Sequence, residues 1–133
     1  MIIIKAYGDP NIRATHKTTI EITKDDHLTE RGDCILGIRA DRGLKDIKNF
    51  LDSHKGKKLI VEFTVDDLSD RVTGYLDPRL SFLDERDIVI RKSSYICKRT
   101  LMINADKSAA EIDRSIVRKL REEKELIVRI NSV

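Results

Sequence analysis

Residues 36–42 and 101–107 of this chain carry the same pattern. Leu36-Gly-Ile38-Arg-Ala40-Asp41-Arg42 reads against Leu101-Met-Ile103-Asn-Ala105-Asp106-Lys107 at a constant offset of 65. The match continues downstream, where Asp46, Ile47 and Leu51 face Glu111, Ile112 and Ile116. At an offset of 67, Leu59-Ile60-Val61 meets Leu126-Ile127-Val128 and Phe63 meets Ile130. Upstream, Ile20-Glu-Ile22-Thr-Lys24 resembles Ile88-Val-Ile90-Arg-Lys92 at an offset of 68. A chain written twice must build its core from two copies of one unit. Each copy here reads strand–strand–helix–strand, so the expectation is an internal duplication inside a single domain spanning 1–133, with pseudo-repeats of about 15–65 and 86–131.

The strand assignments come from period-2 alternation and the helices from apolar residues at helical spacing. Strands are expected at 2–5, 15–23, 34–40, 59–65, 71–76, 87–91, 100–105 and 126–130. Helices are expected at 44–54, where Leu44, Ile47, Phe50 and Leu51 share a face, and at 109–120, where Ile112, Ile116, Val117 and Leu120 do. In a strand, residues of one parity share a face. Cys34, Leu36, Ile38 and Ala40 then belong with Ile20 and Ile22 on an apolar side. Lys17, Thr19, Glu21, Thr23, Arg39, Glu62, Thr64, Arg91, Asn104 and Arg129 belong on a polar one. The fold class is α+β: a two-layer sandwich of a mixed or antiparallel sheet with two helices on one face.

Charge limits the function classes. Asp, Glu, Lys and Arg make up 37% of the chain, and no uncharged apolar run approaches the roughly 18 residues of a membrane helix. With 26 basic against 23 acidic residues the net charge is +3, and the signs are interspersed, unlike a nucleic-acid-binding arm. High charge with 5% aromatic residues and no Trp matches proteins of hot environments. Met1-Ile-Ile-Ile-Lys5 lacks the features of a signal peptide, so Cys34 and Cys97 are expected as reduced thiols in a cytoplasmic protein.

The twin strand-to-helix junctions are the candidate site. Ser108-Ala-Ala-Glu111 fits a capping box, and Gly43-Leu-Lys-Asp46 keeps the acid of that box without the Ser. Asp41 and Asp106 precede these caps. A hairpin centred near residue 28 would set His16 opposite Ala40 and next to Asp41, a pairing suited to acid–base work. The candidate ligand residues are Thr15, His16, Arg31, Asp33, Asp41, Arg42, Asp106 and Lys107. No zinc-type spacing is present among His16, Asp25, Asp26, His27, Asp33 and Cys34, so neither a metal nor a cofactor is expected. Cys34 reads as a small buried hydrophobe. Arg39, Arg91 and Arg129, with Lys17, offer a basic surface, but no aromatic stacking platform accompanies them, and RNA is not the favoured partner.

The chain resembles an archaeal family of uncharacterised proteins, domain-of-unknown-function family 371. The resemblance rests on His16-Lys-Thr-Thr-Ile-Glu-Ile-Thr-Lys24, on Leu28-Thr-Glu-Arg-Gly-Asp-Cys-Ile35, and on Ile90-Arg-Lys92 through Cys97-Lys-Arg-Thr100 to Ala105-Asp-Lys107. It covers nearly the whole chain, and Arg31-Gly-Asp-Cys34 is its most specific part. Asp9 stands where many members carry His, which weakens a multi-His metal site. The resemblance implies an archaeal cytosolic protein of duplicated α+β fold and brings no activity or catalytic residue with it. The leading functional reading is a module binding a small molecule or a protein, with self-association open. The alternatives are an acid–base enzyme using His16 and Asp41, and an RNA-binding protein using the polar sheet face.

Overall fold

A computed structural model describes residues 1–28 and 32–133. Among these residues eight strands form two four-stranded sheets. One is antiparallel, in the order β1 (Ile2–Tyr7), β8 (Glu125–Ser132), β4 (Lys58–Val65), β5 (Leu68–Tyr75). The other is mixed, in the order β3 (Ile35–Gly37), β2 (Thr19–Thr23), β6 (Asp87–Arg91), β7 (Thr100–Met102). The fold is an α+β two-layer sandwich whose layers are the two sheets. Single bridges, Tyr7 to Ile38 and Tyr75 to Ile103, join the sheets at both edges. Between them lies one apolar core that includes Ile4, Ile20, Leu36, Phe63, Phe82 and Leu101. Two short helices, α1 (Lys48–Asp52) and α2 (Arg114–Leu120), complete it, and α2 packs against strands of both sheets, β3, β4 and β5.

The two halves use one register. β2 pairs with β3 in parallel, Glu21 opposite Ile35 and Ile22 opposite Gly37, with an irregularity between them. β6 and β7 do the same with Val89 opposite Thr100 and Ile90 opposite Met102. β2 and β6 cross antiparallel through Glu21 and Val89, the midpoint of their pairing. Arg39 and Asn104, at matching places after β3 and β7, both take φ of 51°. Ala14 and Phe82, 68 residues apart like β2 and β6, take 49° and 54°.

Several expectations change. Residues 15–23 and 34–40 do not form a hairpin: β2 and β3 run parallel, because the antiparallel side of β2 is taken by the Ile88–Ile90 run of β6. The single polar face is divided between two sheets, with Glu62, Thr64 and Arg129 on β4 and β8 and Glu21 and Arg91 on β2 and β6. The expected helix at 109–120 is broken into a 3-10 turn at Ala109–Glu111 and α2. Ile112 turns extended (ψ 141°), and Asp113 starts a new helix by accepting from the Ser115 amide at 2.7 Å. Arg114 holds the break by donating to the carbonyls of Ile112, Ala109 and Ala14. Cys34 leaves the core and faces a polar cleft, being half-buried.

Candidate functional site

The twin junctions are structural pieces of matched geometry. The Asp41 amide donates to the Lys5 carbonyl (3.0 Å), and the Lys5 amide donates back to Asp41 Oδ1 (3.0 Å). The Asp106 amide donates to the Thr73 carbonyl (3.0 Å), and the Thr73 amide donates back to Asp106 Oδ1 (2.9 Å). Each carboxylate therefore satisfies a donor on the outer edge of a sheet. At the helix starts Asp46 accepts from Gly43 N–H (2.7 Å), and Glu111 accepts from the Ser108 amide and hydroxyl (both 3.1 Å). β1 and β5 are the outer strands of their sheet, three spacings or about 14 Å apart, so the two junctions do not share a site.

The other sequence candidates are dispersed. The amides of Thr15 and His16 both donate to the Asp33 carbonyl, at 2.9 and 3.2 Å, which brings those three together. The ring of His16 accepts at Nδ1 from the Thr18 amide (3.2 Å). No hydrogen bond or ion pair joins it to Asp41 among the described residues. Arg42 is exposed beside Asp41. Lys107 pairs with Asp70, which also accepts from the Asp113 amide at 2.9 Å. Arg31 lies outside the described residues. Of the basic surface, Arg39 stacks over Tyr7 at 4.7 Å, Arg91 over Tyr95 at 4.8 Å, and Arg129 sits 3.7 Å from Glu62.

The concave feature that gathers ionisable groups lies elsewhere, on the outer face of the mixed sheet. It is a cleft of about 690 Å³ over the β2–β6 pairing, within the range of small-molecule sites. Glu21 is on its floor, with only 8% of its surface exposed. Its Oε1 accepts from Arg99, whose Nε donates to Asp87 at 2.9 Å. Asp87 also accepts from the Thr23 hydroxyl at 2.7 Å. Glu21 Oε2 accepts from no group among the described residues. Because no buried side-chain oxygen is left unpartnered, that atom opens on the cleft. Burial first, and the Asp87 carboxylate second, push the Glu21 carboxyl up to about 7 against the pull of Arg99 and Arg91. A carboxyl near 7 can give or take a proton at neutral pH.

Cys34 shares the floor. Burial, then the charges of Glu21 and Asp33, push its thiol up to about 12, so it is no nucleophile. Cys97 differs. Burial raises it, but the Thr100 hydroxyl, the Arg99 amide and Arg91, which donates to its sulfur at 3.3 Å, outweigh burial and leave it below the usual thiol range. Among the described residues no three His, Cys, Asp or Glu side chains converge as metal donors. Sequence reasoning gave Thr19, Glu21 and Arg91 the polar face but weighed only Arg91, as part of a basic surface for RNA. The available signal was Glu21 itself, an acid between Ile20 and Ile22 in the most apolar stretch of its strand.

Fold and cleft together define an α+β protein with a polar, ligand-sized depression on one sheet. The model of a family described as a domain of unknown function (DUF371) matches residues 4–133, and the chain belongs to that family. An uncharacterized protein of the archaeon Methanocaldococcus jannaschii is 52% identical over 130 residues, covering 96% of each chain. No helix among the described residues is long and apolar enough to cross a membrane.

Proposed function

We propose that the protein is a small-molecule-binding module of the cytoplasm whose site is the cleft over β2 and β6, not the twin junctions. One observation carries this reading: a glutamate with only 8% of its surface exposed, held by Arg99 through one oxygen, presents the other to a cleft of ligand size. Burying an ionisable group is costly unless something compensates it. A ligand donor on Oε2 supplies that compensation. The shared register of the halves supports their origin from one duplicated unit. In that case the chemical differences between equivalent cleft positions arose on a scaffold that did not need them.

The test is a thermal-shift screen of a metabolite library against the wild type and Glu21→Gln. A ligand present at about 100 times its Kd stabilises by about 2.7 kcal/mol, a rise on the order of 10 °C for a chain of this size. The expected result is a ligand that raises the wild-type Tm and loses most of that rise in Glu21→Gln. Ligands that stabilise both proteins equally, or whose NMR shifts centre on Asp41 or Asp106, would overturn the reading.

A further inference from the structure

The cleft contains two arginines with opposite circumstances. Arg99 is matched to two carboxylates, Glu21 and Asp87. Arg91 is half-buried and has no carboxylate within ion-pair distance among the described residues. Its Nε donates to Thr100 Oγ1 (2.9 Å) and one terminal N–H to Cys97 Sγ (3.3 Å), both weakly charged partners at most. The ring of Tyr95 covers one face of the guanidinium. Of the five N–H groups of an arginine, three are left without an acceptor among the described residues. A guanidinium fixed on one side by hydrogen bonds and stacking, with the rest of its fork open, is arranged to receive a planar or tetrahedral oxyanion.

Two neighbours fit the same chemistry. Thr19 is directly opposite Arg91 in the β2–β6 register and lines the cleft, which sets its side chain about 5 Å from that of Arg91 at the β-carbons. His16 also lines the cleft. Its Nδ1 accepts from the Thr18 amide, so the neutral ring carries its proton on Nε2, where it serves as a donor. The opposite end of the cleft has its charges paired. Asp25, Asp84 and Asp87 gather there, with Arg86, Lys98 and Arg99 as their counter-ions.

We infer that Arg91, Thr19 and His16 form an oxyanion subsite, and that the ligand is a small organic oxyanion, a carboxylate or a phosphate monoester. Its second polar group, a hydroxyl or amine, meets Glu21 Oε2. Glu21 is two residues along β2 from Thr19 on the same face, so the two ligand groups are about 7 Å apart. This inference rests on the cleft reading above and deepens it. Glu21 lines the same cleft and would oppose an anion, and its pairing with Arg99 blunts that opposition.

The experiment follows the Arg91 Nε–H and His16 ring signals by NMR. Sodium phosphate and sodium acetate are titrated separately, with sodium chloride as the ionic-strength control. The expected result is a saturable shift at both residues with at least one oxyanion and none with chloride. Affinity in Arg91→Gln should fall on the order of tenfold or more. Arg91→Lys keeps the charge and loses the fork, and should retain phosphate better than acetate. A saturable response to phosphate alone identifies a phosphate ligand, and a response to acetate a carboxylate. No saturable shift, or one that survives Arg91→Gln in a protein with an otherwise intact spectrum, overturns the inference. A library ligand that depends on Glu21 and ignores Arg91 would also overturn it while leaving the cleft reading in place. Ligands indifferent to both variants would remove the cleft reading as well.

Discussion

The two halves of the molecule agree along their backbones and disagree over the cleft. Asp41 and Asp106 close matching edges with matching bonds, and Asp9 and Asp77 cap matching turns through the amides of Asn11 and Arg79, both at 2.8 Å. At the cleft, positions related by the same offsets hold different chemistry. Glu21 answers to Val89, Thr23 to Arg91, Thr19 to Asp87, Cys34 to Arg99 and His16 to Asp84. The paired loops look alike because each performs the same backbone task. A cleft that straddles equivalent strands would be symmetric by default, so one end where Arg91 has no ion pair among the described residues and another whose charges are paired need a reason beyond folding. Likeness between the halves marks scaffold, and difference marks the place to look for binding.

The largest test of this contrast uses a difference that is only steric. Gly8 and Leu76 are equivalent, and their amides donate to the equivalent carbonyls of Lys124 and Lys57, at 2.9 and 3.0 Å. α2 is longer than α1, and its last residue, Leu120, brings its carbonyl oxygen to within 1.8 Å of where a β-carbon on Gly8 would stand. α1 stops short, and Leu76, at the equivalent place, is fully buried. Gly8→Ala should therefore cost on the order of 4 kcal/mol, beyond ordinary overpacking. Leu76→Ala should cost about 3 kcal/mol for the opposite reason, a cavity. Urea denaturation measures both. A Gly8→Ala cost under about 1 kcal/mol would mean that the helices fit the halves alike.

A second test isolates the cleft. The folded Glu21 carboxyl titrates at about 7 against an ordinary 4.5. The native state therefore keeps a proton that the unfolded chain gives up across that interval. The stability associated with the protonated form is whole below pH 4.5 and is lost as pH rises through 7. The groups facing Glu21 are Asp87 and Arg91 from β6, Arg99 ahead of β7, and Asp84. Relative to Glu21→Gln, the wild type should lose roughly 3 kcal/mol between pH 4.5 and pH 8, and Glu21→Gln should be the more stable protein at the upper end. A flat difference between wild type and Glu21→Gln would place Glu21 in open water rather than on a buried floor.

Much of the scaffold was legible because it is local. Alternation located the strands, and Ser108 with Glu111 announced a cap that forms as read. The likeness of the halves extends beyond the strands: Tyr7-Gly8-Asp9-Pro10 and Tyr75-Leu76-Asp77-Pro78 stand 68 apart, and each Asp caps the turn that follows. What the sequence hid was pairing. Nothing local distinguishes a β2–β3 hairpin from a parallel crossover, because the choice depends on β6, more than sixty residues away. The wrong pairing placed His16 beside Asp41 and gave the first junction the look of an acid–base site. Glu21 was hidden for the same reason. A lone acid on a period-2 strand looks solvated until the residues around it arrive from distant segments, β6 and the turn before β7 among them. Asp113 misled differently, since a second cap inside an apolar helical pattern is visible only once its side chain is seen to bond Ser115.

The smallest expected effect is the one on which the likeness of the halves depends. If Asp41 and Asp106 perform one backbone task, removing either should leave one edge amide, Lys5 or Thr73, without its acceptor. Both carboxylates are exposed, so water replaces part of what is lost, and each Asp→Ala change should cost about 1 kcal/mol. The two costs should agree within a few tenths of that unit, and the double variant should show their sum, since sites about 14 Å apart do not couple. Neither change should alter the ligand response of the cleft. Amide exchange gives the sharper readout: Lys5 N–H should lose protection in Asp41→Ala alone, and Thr73 N–H in Asp106→Ala alone. Unequal costs would show that one junction does more than close an edge. A junction whose loss also abolished ligand binding would return the site to the place where the sequence pattern first put it.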